Sequence, residues 1–217
     1  ISARAEITWF SLKGSDAAAG SPDRVPRNLS FSANNYEISA TGAYSFFSNG
    51  NRYYRRPGFN IYAFAGVGIM YYNPKTEYKG VNVALRPLQT ELVSYSSFGI
   101  VIPYGLGVRL KATPNFNISI EGGYRKTFTD YIDDVSTVHH DLSKFPDPIA
   151  AALTDRGPEI GYAKRPEGSI RGNPDTMDGY MLLNAKLEYY LPMDFGGGRN
   201  PNYYKKKRNA MYRYNKK

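Results

Sequence analysis

The sequence predicts an all-β fold, a transmembrane antiparallel up-and-down β-barrel with long loops at one end and a basic tail at the other. Three observations predict it. Stretches that read as strands alternate an apolar residue with a small, polar or charged one, no apolar run is long enough for a membrane helix, and connections alternate long and short. Successive side chains of a strand point to opposite faces, so one face of each stretch is greasy and the other carries ionisable groups that a water-soluble sandwich would not place in its core. Bacterial single-chain barrels have even strand numbers starting at eight, so eight strands are expected here. Six are visible, and an N-terminal hairpin ahead of Ile1 is expected to supply the other two.

In chain order, Ile1 to Phe10 sets Ile1, Ala3, Ala5, Ile7 and Trp9 against Ser2, Arg4, Glu6 and Thr8. Tyr36 to Phe46 sets Tyr36, Ile38, Ala40, Tyr44 and Phe46 against Glu37, Ser39, Thr41 and Ser45. In Phe59 to Tyr71 the apolar face is Ile61, Ala63, Ala65, Val67 and Ile69, and in Ile100 to Ala112 it is Ile100, Ile102, Tyr104, Leu106, Val108 and Leu110, opposite Arg109 and Lys111. Phe116 to Phe128 is the clearest, with Glu121 and Arg125 opposite Ile118, Ile120 and Tyr124. Met181 to Leu191 sets Met181, Leu183, Ala185 and Leu187 against Asn184, Lys186 and Glu188.

The loops Ser11 to Asn35, Asn73 to Ser97 and Thr129 to Asp178 are long, whereas Ser48 to Gly58 is shorter and Ala112 to Asn115 is a tight turn with Pro114. Outer-membrane barrels keep short turns in the periplasm and long loops outside, so the three long loops are expected to be extracellular. Within the longest, Asp147 followed by Pro148 reads as an N-cap and first helical position, opening one or two helical turns that lid the mouth. The chain divides into a barrel, residues 1–192, and a tail, residues 193–217.

The mean hydropathy of −0.51 is low for a membrane protein, but in a barrel only alternate residues face lipid. The chain's 20 tyrosines include Tyr36, Tyr44, Tyr71, Tyr72, Tyr124, Tyr180, Tyr189 and Tyr190 near strand ends, where an amphipathic ring suits the boundary between hydrocarbon and headgroup. The tail has eight bases against one acid, Asp194, a net +7 of the chain's +9. The basic character is therefore local, and affinity for nucleic acid is not implied. Tyr203, Tyr204, Lys205, Lys206, Lys207, Arg208, Tyr212 and Arg213 interleave aromatic rings and bases, a composition suited to docking on a periplasmic partner or anionic headgroups.

The inward ionisable residues Arg4, Glu6, Glu37, Arg109, Lys111, Glu121, Arg125, Lys186 and Glu188 are expected to pair and plug the lumen, since an eight-stranded barrel is just wide enough for side chains. Thr129, Asp130, Tyr131, Asp133 and Asp134 follow Arg125 and Lys126, and the acids are expected to tie their loop back to the rim beside those bases. Ser136, His139, His140 and Asp141 are the nearest approach to hydrolase residues, but they crowd one loop without a glycine-rich elbow. A metal on His139, His140, Asp133 and Asp134 has no recognised ligand spacing. No enzyme activity, cofactor or metal is expected.

The runs Tyr62-Ala-Phe-Ala-Gly-Val-Gly68, Tyr72-Asn-Pro-Lys75, Leu85-Arg-Pro-Leu-Gln-Thr-Glu91, Ile102-Pro-Tyr-Gly-Leu-Gly107, Glu121 through Thr137 and Arg171-Gly-Asn-Pro174 resemble the PorG-like outer-membrane barrels of Bacteroidetes. The likeness covers most of Ile1 to Pro192, and Thr129-Asp-Tyr-Ile-Asp-Asp-Val135 is its most specific part. It implies a non-enzymatic component of the type IX secretion system, in a hetero-oligomeric assembly with a periplasmic ring of PorK-like lipoprotein and PorN. The alternatives are a small surface barrel whose loops bind ligands, and a lipid enzyme built on His139 or His140.

Overall fold

The computed structural model describes residues 1–18, 24–48 and 56–189. Among the described residues it is an antiparallel all-β structure with strands β1 (Ser2–Ser15), β2 (Ser30–Ser45), β3 (Phe59–Tyr71), β4 (Lys75–Tyr78), β5 (Val81–Ala84), β6 (Phe98–Lys111), β7 (Phe116–Thr127) and β8 (Gly179–Tyr189), one α-helix, α1 (Pro148–Thr154), and several short 3-10 turns. The six long strands lie in the order β1-β2-β3-β6-β7-β8, each antiparallel to the next. Among the described residues no helix is long and apolar enough to cross a membrane.

All six predicted strands are present, and the first two are longer than predicted. Apolar alternation fades after Phe10, but the ladder of β1 with β2 continues through Lys13 opposite Ser32 to Ser15 opposite Ser30. Backbone pairing carries these strands past their apolar segment. The sequence reading also missed a hairpin in the loop after β3. There β4 and β5 join through Lys79 and Gly80, both at positive φ, the geometry of a tight primed turn. This hairpin rests on the end of β2, with Lys75 opposite Ser32. The eight strands are thus six long ones and a short appendage. Among the described residues β1 pairs only with β2, and β8 only with β7. Between β3 and β6 the ladder lapses at Ile102 and Pro103, resuming at Val101 opposite Gly68, because proline has no N–H to donate.

Burial is inverted relative to a soluble protein. Ile7, Ile38, Ile69 and Ile100 form one cross-strand row over β1, β2, β3 and β6, and all face outward, Ile38 at 64% exposure. Leu106 on β6 is 60% exposed, while Glu37 and Glu121, one residue out of phase with such positions, are at 0% and 1%. A second row, Trp9, Tyr36, Tyr71 and Phe98, crosses the same strands toward the long-loop end. Toward the short-turn end the outward aromatics are Tyr44, Phe46, Phe59, Phe116 and Tyr189, with Phe116 opposite Tyr189. Tyr180 and Tyr72 depart from the predicted boundary position. Both are buried, in an apolar cluster with Phe10, Met70, Val101 and Ile132 that closes the inner side near the long loops. Tyr190 lies outside the described residues.

Candidate functional site

Alternation delivers the predicted charges to the inner face in three levels. Nearest the short turns, Arg109 pairs with Glu188 at 2.9 Å, and that carboxylate also accepts from Ser119 Oγ at 2.8 Å and Asn117 Nδ2 at 3.1 Å. In the middle, Arg4 pairs with Glu121, and Lys186 bridges Glu6 and Glu121, the latter at 2.6 Å. The Tyr62 hydroxyl also donates to Glu121. Highest, Arg125 lies 3.7 Å from Glu37, which accepts from the Tyr180 hydroxyl at 2.9 Å. Eight of the nine predicted lumen charges join these ion pairs. Lys111, the ninth, is half-buried at the lower rim, where its backbone N–H donates to the Gly58 carbonyl at 2.9 Å. Pairing fits the low dielectric, because a lone buried charge costs several kcal/mol. Small residues make room for the rings between the levels. A Cβ at Gly107 would lie 2.3 Å from the Tyr62 ring, and one at Gly105 2.9 Å from that of Phe64.

Above the apolar layer the three long loops join in a cap centred on Arg171, which is 2% exposed. Its guanidinium donates to Glu91 at 2.7 Å, to the Asp134 carbonyl at 2.6 Å and to the Thr154 carbonyl at 3.3 Å. Glu91 also accepts from the backbone N–H groups of Ser136 and Thr137, each at 2.9 Å. Asp134 accepts from Thr90 and, at 2.6 Å, from the Tyr95 hydroxyl. Burial, with the Asp134 charge beside it, pushes the Tyr95 phenol well up. The first long loop joins through Arg27, which grips Asp16 at 3.0 and 2.7 Å and donates to the Arg171 carbonyl. Tyr131 stacks on Tyr95 with ring centres 4.7 Å apart, and Thr129 shares a 3.0 Å hydrogen bond with Tyr72.

The loop acids therefore have partners other than those predicted. Asp134 binds Thr90, Tyr95 and Arg171 instead of Arg125 and Lys126. Arg125 points to the buried face of the sheet, and Lys126, one residue on, points outward. Asp133 accepts from Val135 N–H at 3.0 Å within its own turn. Burial, with Asp178 near, raises its carboxyl to about 7, and burial raises Asp178 to about 6 despite a hydrogen bond from Ile132 N–H. Asp130 is raised too, chiefly by burial. The predicted helix is present as α1, where Asp147 accepts from Ile149 N–H at 2.8 Å.

Ser136, His139, His140 and Asp141 are not brought together as a catalytic set. His139 is buried with neither ring nitrogen hydrogen-bonded, and burial with Arg171 nearby lowers it to about 4. Asp141 caps the turn Leu142–Lys144 through Ser143 N–H. Among the described residues no group of three or more His, Asp or Glu is arranged to hold a metal. Reading the residues one by one singled out neither Glu91 nor Arg171. Both lie in runs quoted for the family likeness, and with Thr129 to Thr137 those runs meet at one buried node. Among the cap loops lies a cavity of about 310 Å³, lined by Asp16, Arg24, Arg27, Asp133, Arg156 and Arg171 among others. The predicted docking residues of the tail, Tyr203 to Arg213, lie outside the described residues.

A family model described as a domain of unknown function (DUF6089) matches residues 1–146. No curated protein and no solved structure matches the chain.

Proposed function

Because this chain belongs to the DUF6089 family, whose description names no activity, we propose its role from its own geometry: a side-chain-filled outer-membrane barrel that anchors a periplasmic ring of the type IX secretion system. The inverted burial is the observation that carries the membrane part. Water gives no reason to expose Ile7, Ile38, Ile69, Ile100, Leu106 and Leu187 while burying Glu37, Glu121 and Arg125. Hydrocarbon does.

The aromatic rows support the same reading. From Tyr36 on β2 to Phe46 just past its end the chain advances ten residues, about 34 Å at about 3.4 Å per residue, or about 26 Å along the normal with a tilt of about 40°. Outer-membrane barrels carry an apolar band about 25 Å tall between aromatic girdles. Layered ion pairs and the Phe10–Tyr180 cluster fill the interior, which favours an anchor over a conduit.

The secretion role rests on the family likeness, supported by the meeting of three of its runs at Arg171. In this reading the short turns and the tail from Phe195 to Lys217 face a periplasmic ring of PorK-like lipoprotein and PorN-like protein, and no catalysis takes place. The test is deletion of residues 195–217, then pull-down from outer membranes in mild detergent. Ring proteins should co-purify with the intact chain and be lost from the deletion. A barrel that brings down no ring protein even when intact overturns the role.

One observation favours a second reading, a surface barrel that binds a ligand outside the cell, namely the arginine-rich cavity among the cap loops. Exchanging residues 129–178 separates the two readings, since it should leave secretion intact under the first and abolish binding under the second.

A further inference from the structure

We propose that a cleft walled by Lys13 and Lys75, on the outward face just beyond the aromatic row of Trp9, Tyr36, Tyr71 and Phe98, holds the phosphate of an outer-leaflet lipid headgroup. The proposal rests on the membrane-barrel reading above, with the long loops outside.

Register builds the cleft. Lys13 stands opposite Ser32, and Ser32 opposite Lys75, so β1, β2 and β4 set the two lysines on one row. Both share the outward parity of Trp9 and Tyr36, and both are exposed. The appended hairpin makes the pair, since without β4 no second base stands on that row. Neighbouring strands lie about 4.8 Å apart, which sets the two backbones about 10 Å apart across β2. Two lysine side chains at that separation close on one phosphate between them. Asn34, Asn73 and Asn82 complete the wall of this cleft of about 570 Å³, and their side-chain amides add neutral donors.

The two charges are unanswered by the chain. Among the described residues neither Lys13 nor Lys75 makes an ion pair. Glu77, on the same face of β4, stands two residues farther out and pairs with neither. Arg125 and Arg171, by contrast, have carboxylates beside them. Like charges held on one row repel until an anion lies between them, and phosphate is a common partner of lysine.

Depth selects the source of that phosphate. Lys13 follows Trp9 by four residues along β1, about 14 Å, or about 10 Å along the normal at a tilt of about 40°. Headgroups occupy about 5–8 Å beyond the hydrocarbon on each side, and lysine stems reach back into that layer. Tyr36 and Tyr71 line the membrane side of the cleft, their ring centres 6.4 Å apart. Below them Ile38 and Ile69 continue the same two strands as exposed apolar surface. A lipid with its phosphate between the lysines lays its chains on that surface, so one molecule satisfies both. A free phosphate would use the lysines alone.

The test uses the whole chain folded in mild detergent, with lipid A, a phosphorylated disaccharide bearing acyl chains, as the probe and native mass spectrometry as the readout. The parent should retain lipid A, and Lys13→Gln with Lys75→Gln should weaken retention at least about tenfold. Lys13→Arg with Lys75→Arg should keep it. Lys144→Gln with Lys164→Gln removes the same charge from exposed positions of the third long loop and should change retention by less than about twofold. A Gln pair at 13 and 75 that retains lipid A as the parent does, or a control pair that loses it equally, overturns the site. Equal retention of lipid A and of its dephosphorylated form by the parent overturns the phosphate. Inorganic phosphate that displaces lipid A at equal concentration overturns the lipid source. A chain that stays folded without amphiphile overturns the barrel reading itself, whereas one that needs amphiphile yet binds lipid A regardless of these lysines overturns this site alone.

Discussion

Arg125 on the inner face of the sheet and Arg171 in the cap are equally shut off from solvent, each 2% exposed, yet they stand in opposite relations to the backbone around them. Arg125 is carried by β7, whose ladders with β6 and β8 fix its place whether or not a carboxylate meets it. Its Nε and Nη1 make no hydrogen bond, and Glu37 stands off at 3.7 Å. Arg171 is carried by a loop and reaches acceptors from three other stretches of that cap, Glu91, Asp134 and Thr154. On the inner face of the sheet the fold positions the charges, while in the cap the charges position the fold.

The largest expected effect attacks that contrast directly. Arg171→Ala leaves Glu91 and Asp134 as buried carboxylates without their cation, which costs about 3–5 kcal/mol. The loss should stay local: amides of residues 129–178 exchange faster and the loop becomes protease-sensitive, while strand amides keep their protection. The paired change Arg125→Met with Glu37→Leu, which replaces a buried ion pair by apolar groups, should be neutral or stabilising, by at most about 4 kcal/mol. The Tyr180 hydroxyl retains Met70 Sδ at 3.3 Å as a neighbour. Equal and global losses from both changes would erase the distinction.

Next in size is a comparison of outer faces. Leu106→Arg puts a charge at the middle of the apolar belt and should cost about 2–4 kcal/mol on folding into bilayers. Ile160→Arg makes the same change on the cap at a side chain of similar exposure, 46% against 60%, and should be tolerated. If the two behave alike, lipid does not cover the strands.

What could be read from the sequence divides along the same line. The lumen network was legible because a period of two assigns each residue of a strand to a face, so Glu121 and Arg125 could be placed inside before any partner was known. The cap was not. Glu91 and Arg171 are 80 residues apart, no periodicity relates them, and proximity in sequence sets Asp134 beside Arg125 and Lys126 instead. The helix α1 was the exception, since Asp147 and Pro148 signal it locally. Tyr180 shows the limit inside a strand: a tyrosine near a strand end suits the membrane boundary, but its parity sends it inward to Glu37.

Parity also sets the third effect. Gly107→Ala directs a methyl into the Tyr62 ring, 2.3 Å away, and should destabilise by about 1–3 kcal/mol through overpacking. Gly122→Ala on β7 faces outward with nothing within 4 Å and should be nearly silent in the same thermal unfolding measurement.

The smallest effect is the pH response of the cap, where two groups oppose each other. The Asp133 carboxyl, raised from 3.8 to about 7, holds a proton in the folded cap that the unfolded chain has already released, so its contribution to stability falls as pH rises from about 4 to about 7. Asp178 acts in the same sense up to about 6. His139, lowered from 6.5 to about 4, sheds in the folded cap a proton that the unfolded chain keeps, so its contribution rises between about 4 and about 6.5. The two slopes offset each other in the intact protein. His139→Phe removes the rising one without breaking a hydrogen bond, since neither ring nitrogen makes one. Cap stability in that variant, followed by amide exchange of residues 129–137, should fall steadily from pH 4 to 7, by on the order of 1 kcal/mol because water reaches the half-buried Asp133. Adding Asp133→Asn should remove most of the slope. A single variant whose cap exchange keeps the pH dependence of the parent would show that His139 and Asp133 are not set against each other.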